Sequence, residues 1–383
     1  MLSIVRMNAI LEIDDVNHVA VVQPGVINAD LQAAVEARGL FYPPDPSSLK
    51  QSALGGNVAE NAGGARCLKY GVTGDYVQAL EVVLADGTVF RTGGKMVKNV
   101  TGYDLRHLFT GSEGTLGTIT EITLRLIPKP KFSRTAMATF ARIDDAARTV
   151  TAIMASGLVP TSIELLDNLT MRCVEEFCAP GLPLEADAIL LFSVDGNHEA
   201  ALDADLSAIE AIARAGGAGE IRLARSQAES DILWAARRAV SPALLRKRPH
   251  KLGEDISVPR SAIPAMIERI REIAQRRALL IPVFGHAGDG NLHPNILCDR
   301  NDAAELARVR EAAREIFEAA VSLGGTLSGE HGIGLLKKQF MEMDLGPEAL
   351  GVMRAIKSAL DPLGIMNPGK VFPDAGGVDA FSL

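Results

Sequence analysis

The run Pro128-Lys129-Pro130-Lys131 sets the first limit on how this chain can fold. Proline has no N–H to give to a sheet ladder and restrains the residue before it, so a paired strand is not expected to continue through the run. It therefore predicts a domain boundary. Ahead of it, residues 1–128 read as short β-rich segments punctuated by glycine. His18 to Val22 precedes the Pro24-Gly25 turn, Asp86-Gly87 separates two apolar segments in the pattern of a hairpin, and Thr118 to Ile127 alternates like a half-buried strand. Behind it, residues 131–340 alternate apolar stretches at 133–140, 188–194 and 251–258 with amphipathic helical patterns, clearest over 199–215, 261–277 and 302–322. Ile281-Pro282-Val283-Phe284-Gly285 reads as a buried strand delivering a glycine-rich loop. A helical segment, 341–383, closes the chain, and the expected class is α+β.

With 383 residues, 47% of them apolar, the chain can fill two or three cores. Its net charge of -8 is spread along the sequence, which excludes the basic stripe of a nucleic-acid binder. No stretch reaches the roughly 18 uninterrupted apolar residues of a transmembrane segment, and the opening residues lack a signal-peptide layout. The expected compartment is the cytoplasm, with peripheral membrane association open. Cys67, Cys173, Cys178 and Cys298 form no CxxC pair, which argues against a zinc ribbon or an iron–sulfur cluster.

Asp45-Pro46-Ser47-Ser48 and the following Leu54 to Gly64 gather four glycines, two asparagines and two serines around a helix start. Glycine lets backbone N–H groups approach a phosphate or a flat ring without a Cβ in the way. Neither the GxGxxG nor the GxxxxGK[ST] pattern is present, so the Rossmann and P-loop solutions do not apply. Taken singly, each glycine would serve a tight turn.

As a set, with Lys69-Tyr70-Gly71, Lys98 to Leu105 and Gly111 to Thr120, the segments resemble the FAD-binding domain of vanillyl-alcohol-oxidase-type flavoproteins, in the glycolate oxidase and D-lactate dehydrogenase branch. The resemblance implies an FAD-binding domain over 1–128, an antiparallel-sheet substrate (cap) domain over 131–340, and a C-terminal segment returning to the flavin. It implies FAD contacts at Ser48, Gly55, Gly56, Asn57, Ala59, Asn61, Gly64, Gly71, Glu113, Gly117 and Ile119. Asn367, within Met366-Asn367-Pro368-Gly369-Lys370, matches the family's closing motif and would return to the same cofactor.

Gly285-His286-Ala287-Gly288-Asp289-Gly290-Asn291-Leu292-His293 and Ser328-Gly329-Glu330-His331-Gly332 hold three of the seven histidines. Two imidazoles and a carboxylate, His286, His293 and Glu330, make a three-ligand set for zinc, iron or manganese with room for substrate. In the metal-free alternative, both histidines bind the substrate carboxylate directly. His331 is suited to act as general base on a substrate hydroxyl. The resemblance supports these roles, adds Asn295 and Ser241 as substrate contacts, and places Arg237 as the clamp on a substrate carboxylate. Guanidinium binds two oxygens at once, which fits that role, whereas Arg238 fits a solvated helix face. Lys251 adds charge nearby.

The implied activity is FAD-dependent oxidation of a small D-2-hydroxy acid, glycolate or D-lactate, to the 2-oxo acid. Hydride goes to the flavin, the hydroxyl proton to His331, and electrons onward to a quinone or partner subunit. Relatives begin with an upstream segment whose loop covers the FAD pyrophosphate, and Leu2 to Asp14 resembles the strand after that loop. The first part of the FAD domain is therefore expected to be missing. At about 1.5–3 kcal/mol per charge-linked hydrogen bond, its loss would weaken FAD binding by orders of magnitude. The alternative function is a non-catalytic remnant or a subunit that needs a partner to bind FAD.

Overall fold

Asp86-Gly87 does turn a hairpin: Val77–Val83 and Val89–Gly93 pair antiparallel, and Asp86 Oδ1 accepts the Thr88 N–H at 2.9 Å. The computed structural model describes residues 2–374; Met1 and residues 375–383 of the expected C-terminal segment lie outside the described residues. The chain forms two units. One takes the chain up to Arg66, Tyr70–Lys129 and everything from Glu330 onward, and the other takes Cys67–Lys69 and Pro130–Gly329.

The first unit carries a five-stranded antiparallel sheet in the order Ile10–Asp14, Val19–Val22, Thr118–Arg125, Val77–Val83, Val89–Gly93. Its inward side chains, with Leu31 and Val35 of helix Asn28–Glu36 and Leu54 and Val58 of helix Leu54–Glu60, form one buried cluster. Ile356 and Leu360, on helix Met341–Leu360, pack against that cluster. Beyond Arg125 the main ladder stops, but Ile127–Pro128 still pairs with Leu40–Phe41 in a sheet of two strands. A proline is tolerated there because so short a ladder can do without its missing donor.

The second unit is built on an eight-stranded antiparallel sheet. Along its main path run Ala218–Leu223, Phe132–Phe140, Ala188–Gly196, Ser162–Asp167, Val283–His286, Asn291–Cys298 and His250–Gly253. The apolar stretch at 251–258 is divided, since His250–Gly253 and Ile256–Ser257 pair separately with Asn291–Cys298. Helices Glu199–Ala215, Ile263–Arg277 and Ala303–Ser322 occupy the amphipathic patterns. Ser162–Asp167 is buried at every position. Its burial does not alternate although Ser162-Ile163-Glu164-Leu165 does, so the sequence period does not report that both faces are covered. Among the described residues no helix is long and apolar enough to cross a membrane.

Asp167 joins two of these elements. Its Oδ1 accepts Thr170 N–H at 2.8 Å, capping helix Asn168–Cys178, and its Oδ2 accepts Val283 N–H at 2.9 Å. Both donors are buried, so Asp167→Ala should cost about 2–4 kcal/mol at pH 4, read by thermal denaturation. Burial pushes this carboxyl up to about 6 from 3.8. The folded state therefore holds the proton more tightly, and the stability gained from this group is fullest below about pH 4 and lost as pH rises to about 6. The gap between wild type and variant should narrow over that interval.

Candidate active site

Strand alternation in the second unit puts Glu164 and Leu166, Phe284 and His286, and Asn291 and His293 on one face of three adjacent strands. His286 stands opposite Glu164 on one side and Asn291 on the other. Gly285 allows this close pairing, because a Cβ there would lie 2.4 Å from Asn291 O. The two imidazoles meet edge to face with centroids 5.2 Å apart, and Phe284 lies 5.2 Å from His293.

Two buried carboxylates organise this face, and sequence reasoning found neither. Glu164, with 0% side-chain exposure, receives Arg237 Nε at 2.6 Å through Oε2 and engages His286 Nδ1 at 2.6 Å through Oε1. Burial pushes its carboxyl upward, but the charges and hydrogen bonds of His286 and Arg237 outweigh that and hold it below the ordinary glutamate value. Asp255 Oδ1 accepts from Asn291 Nδ2 at 2.6 Å and lies 3.7 Å from His293 Nδ1, while its Oδ2 accepts from Ser328 Oγ at 2.7 Å. The signal available for Glu164 was one acid inside the apolar run Ile163-Glu164-Leu165-Leu166. A charge there must be paired once the strand is buried.

Arg237 lies in the last turn of helix Gln227–Arg238, its guanidinium 4.8 Å from the Phe284 ring centroid. Asn295 is buried and its Nδ2 donates to His293 O at 3.0 Å. Ser241, on helix Val240–Lys247, accepts from Lys251 Nζ at 2.9 Å, and burial lowers the pKa of that lysine.

The remaining predicted residues belong to the first unit. His331 Nε2 lies 3.8 Å from Glu330 Oε1, and the His331 side chain is 54% exposed. Their loop is fastened by Glu113, whose carboxylate accepts Ile333 N–H at 2.6 Å and Gly334 N–H at 2.8 Å. The Glu113 backbone is held in turn, its N–H by Ala59 O at 2.8 Å and its C=O by Asn367 Nδ2 at 2.6 Å.

Several of the predicted cofactor glycines answer to their neighbours in the fold. A Cβ at Gly55 would lie 2.5 Å from Pro24 Cβ, one at Gly64 2.5 Å from Asp45 O, one at Gly71 against the Asp75 carboxylate, and one at Gly117 2.6 Å from Val82 Cγ1. Gly56 differs, with nothing within 4 Å of the added atom. Ser48 O accepts Gln51 and Ser52 N–H in a tight turn, Asn61 Oδ1 accepts Gly74 N–H at 2.7 Å, and Ile119 is buried in the sheet. Beside Gly56, Asn57 Nδ2 is buried without a hydrogen-bond partner among the described residues. An open glycine next to an unsatisfied donor suits a polar, flat cofactor such as FAD.

These features define an FAD-linked oxidoreductase. Residues 129–371 match the family described as FAD linked oxidases, C-terminal domain, and residues 1–93 match FAD binding domain. The chain belongs to this family of FAD-linked oxidases. It is similar to the glycolate oxidase subunit GlcD of Bacillus subtilis (strain 168), at 50% identity over 96% of this chain and 78% of the relative. It is also similar to the D-lactate dehydrogenase of Anaerostipes hadrus, at 36% identity over 97% and 79%. Among solved structures, p-cresol methylhydroxylase with substrate bound superposes with a TM-score of 0.75 at 18% identity, covering 98% of this chain and 79% of that one. The fold is thus that of the vanillyl-alcohol-oxidase-type flavoproteins.

Proposed function

We propose that the chain oxidises a small D-2-hydroxy acid of the glycolate or D-lactate type to its 2-oxo acid and passes electrons to a partner subunit or a quinone. The observation that carries this reading is the strand face of the second unit. A cation for a carboxylate, Arg237, and an imidazole, His286, are both held there by one buried glutamate. The names of the similar proteins, glycolate oxidase subunit and D-lactate dehydrogenase, support the same substrate class.

Glu164 occupies Arg237 Nε, so the terminal amino groups of the guanidinium are the ones suited to a substrate carboxylate. Asn295 and Ser241 add polar contacts. His331 takes the hydroxyl proton. FAD, contacted from the glycine segments and Asn367, supplies the hydride acceptor. His286, His293 and Glu330 are the donors for a divalent ion, which would make the substrate hydroxyl more acidic. The histidine chemistry fits: an Nδ1–H donated to a carboxylate fixes the tautomer whose Nε2 carries the lone pair a cation takes.

The test is a visible absorption spectrum of the full chain incubated with FAD, followed anaerobically by glycolate or D-lactate. A bound flavin band that bleaches is expected. A bound flavin that neither acid reduces would overturn the substrate assignment, and a chain that binds no flavin would favour the non-catalytic or partner-dependent alternative.

A further inference from the structure

We infer that Glu164 is a positioning residue that couples the carboxylate clamp to the metal ligand, an inference that rests on the reading of Arg237 and His286 just given. Its two oxygens are committed in different directions, Oε2 to Arg237 Nε and Oε1 to His286 Nδ1, each at 2.6 Å. The backbone enforces this arrangement. Glu164 and His286 are direct cross-strand partners on antiparallel neighbours, and Arg237 reaches the same carboxylate from the last turn of its helix, lying on the Phe284 ring.

The hydrogen-bond inventory explains why the residue must be a carboxylate. Arg237 Nε–H is always a donor, and His286 must also donate from Nδ1 if its Nε2 is to ligate a cation. Two donors converge, so both receiving atoms must be pure acceptors. A glutamine offers one oxygen and one NH2 and can satisfy only one of them. With its NH2 toward His286, the ring is driven to the Nε2–H tautomer and the ligand lone pair is lost. With its NH2 toward Arg237, two donors face each other and the guanidinium is displaced from its place over Phe284. Either way one half of the coupled pair fails, which a merely space-filling buried glutamate would not predict.

The experiment uses the full chain: zinc binding is read on metal-stripped protein by competition against a chromogenic chelator, and KM for the reducing 2-hydroxy acid is read on the protein reloaded with zinc and FAD. Glu164→Gln should lose about 10–100-fold in zinc affinity, or raise KM by a similar factor while zinc binding holds. His286→Ala serves as the control for the metal reading itself. If wild type and His286→Ala take up zinc equally, the metal reading fails; if His286→Ala loses zinc while Glu164→Gln keeps both wild-type zinc affinity and wild-type KM, the coupling role is wrong. A second measurement needs no folded variant. The side-chain 15N shifts of histidine-labelled, metal-free wild type should show His286 as the Nδ1–H tautomer, and a neutral ring protonated at Nε2 would overturn the inference whatever the metal result.

Discussion

His331→Asn should lower kcat for 2-hydroxy-acid oxidation by about 10²–10⁴-fold, the range for removing a positioned general base, with KM little changed. Asparagine approximates the size and hydrogen-bonding reach of imidazole but cannot accept the hydroxyl proton at working pH. The side chain is 54% exposed and lies 3.8 Å from Glu330 Oε1, so its replacement should leave stability within about 0.5 kcal/mol. A loss of turnover cannot then be ascribed to unfolding. The measurement is single-turnover flavin reduction under anaerobic conditions, which isolates the chemical step from reoxidation. Reduction at the wild-type rate would move the base role to another residue, whereas recovery of part of the rate with added imidazole would place it at His331.

What the sequence disclosed follows from what leaves a local signature. The Asp86-Gly87 hairpin, helix Glu199–Ala215 and helix Ala303–Ser322 were readable because turn chemistry and amphipathic period act over a few residues. The glycine-flanked histidines were equally visible. Ser162–Asp167 was not, because its alternation runs over only four residues, Ser162 to Leu165, and its polar positions do not announce that both faces are buried. The same burial hid Glu164 and Asp255, whose roles exist only once Arg237, His286 and Asn291 arrive from segments far along the chain. Glu113 shows another limit. The resemblance marks it as a cofactor contact, but no local pattern could announce that its carboxylate would receive the N–H groups of Ile333 and Gly334, more than 200 positions later. Side-chain types announce chemistry; only the fold shows which carboxylate steadies which base.

That clasp carries the second large effect. Glu113→Ala should lower kcat by about 10²-fold through displacement of the loop that bears His331, since misplacing a catalytic group by about 1 Å has that consequence. It removes two charge-assisted hydrogen bonds, about 1.5–3 kcal/mol each, and leaves the Ile333 and Gly334 N–H groups to find water. Because Glu113 sits at φ +51, part of any stability change in the alanine variant would come from a backbone that L-residues avoid. Glu113→Gly separates the two contributions, since glycine accepts that φ at no steric cost and still lacks the carboxylate. It should stay folded yet show the same fall in kcat, together with faster amide exchange at Ile333 and Gly334. Gly332→Ala strains the same loop from the other side: its φ is +76, and the added Cβ would press first on the Glu60 carboxylate and then lie 2.9 Å from Glu113 Oε1, an oxygen already fixed by the Ile333 N–H. Wild-type kcat and unchanged exchange in Glu113→Gly would show that the His331 loop holds its place without Glu113.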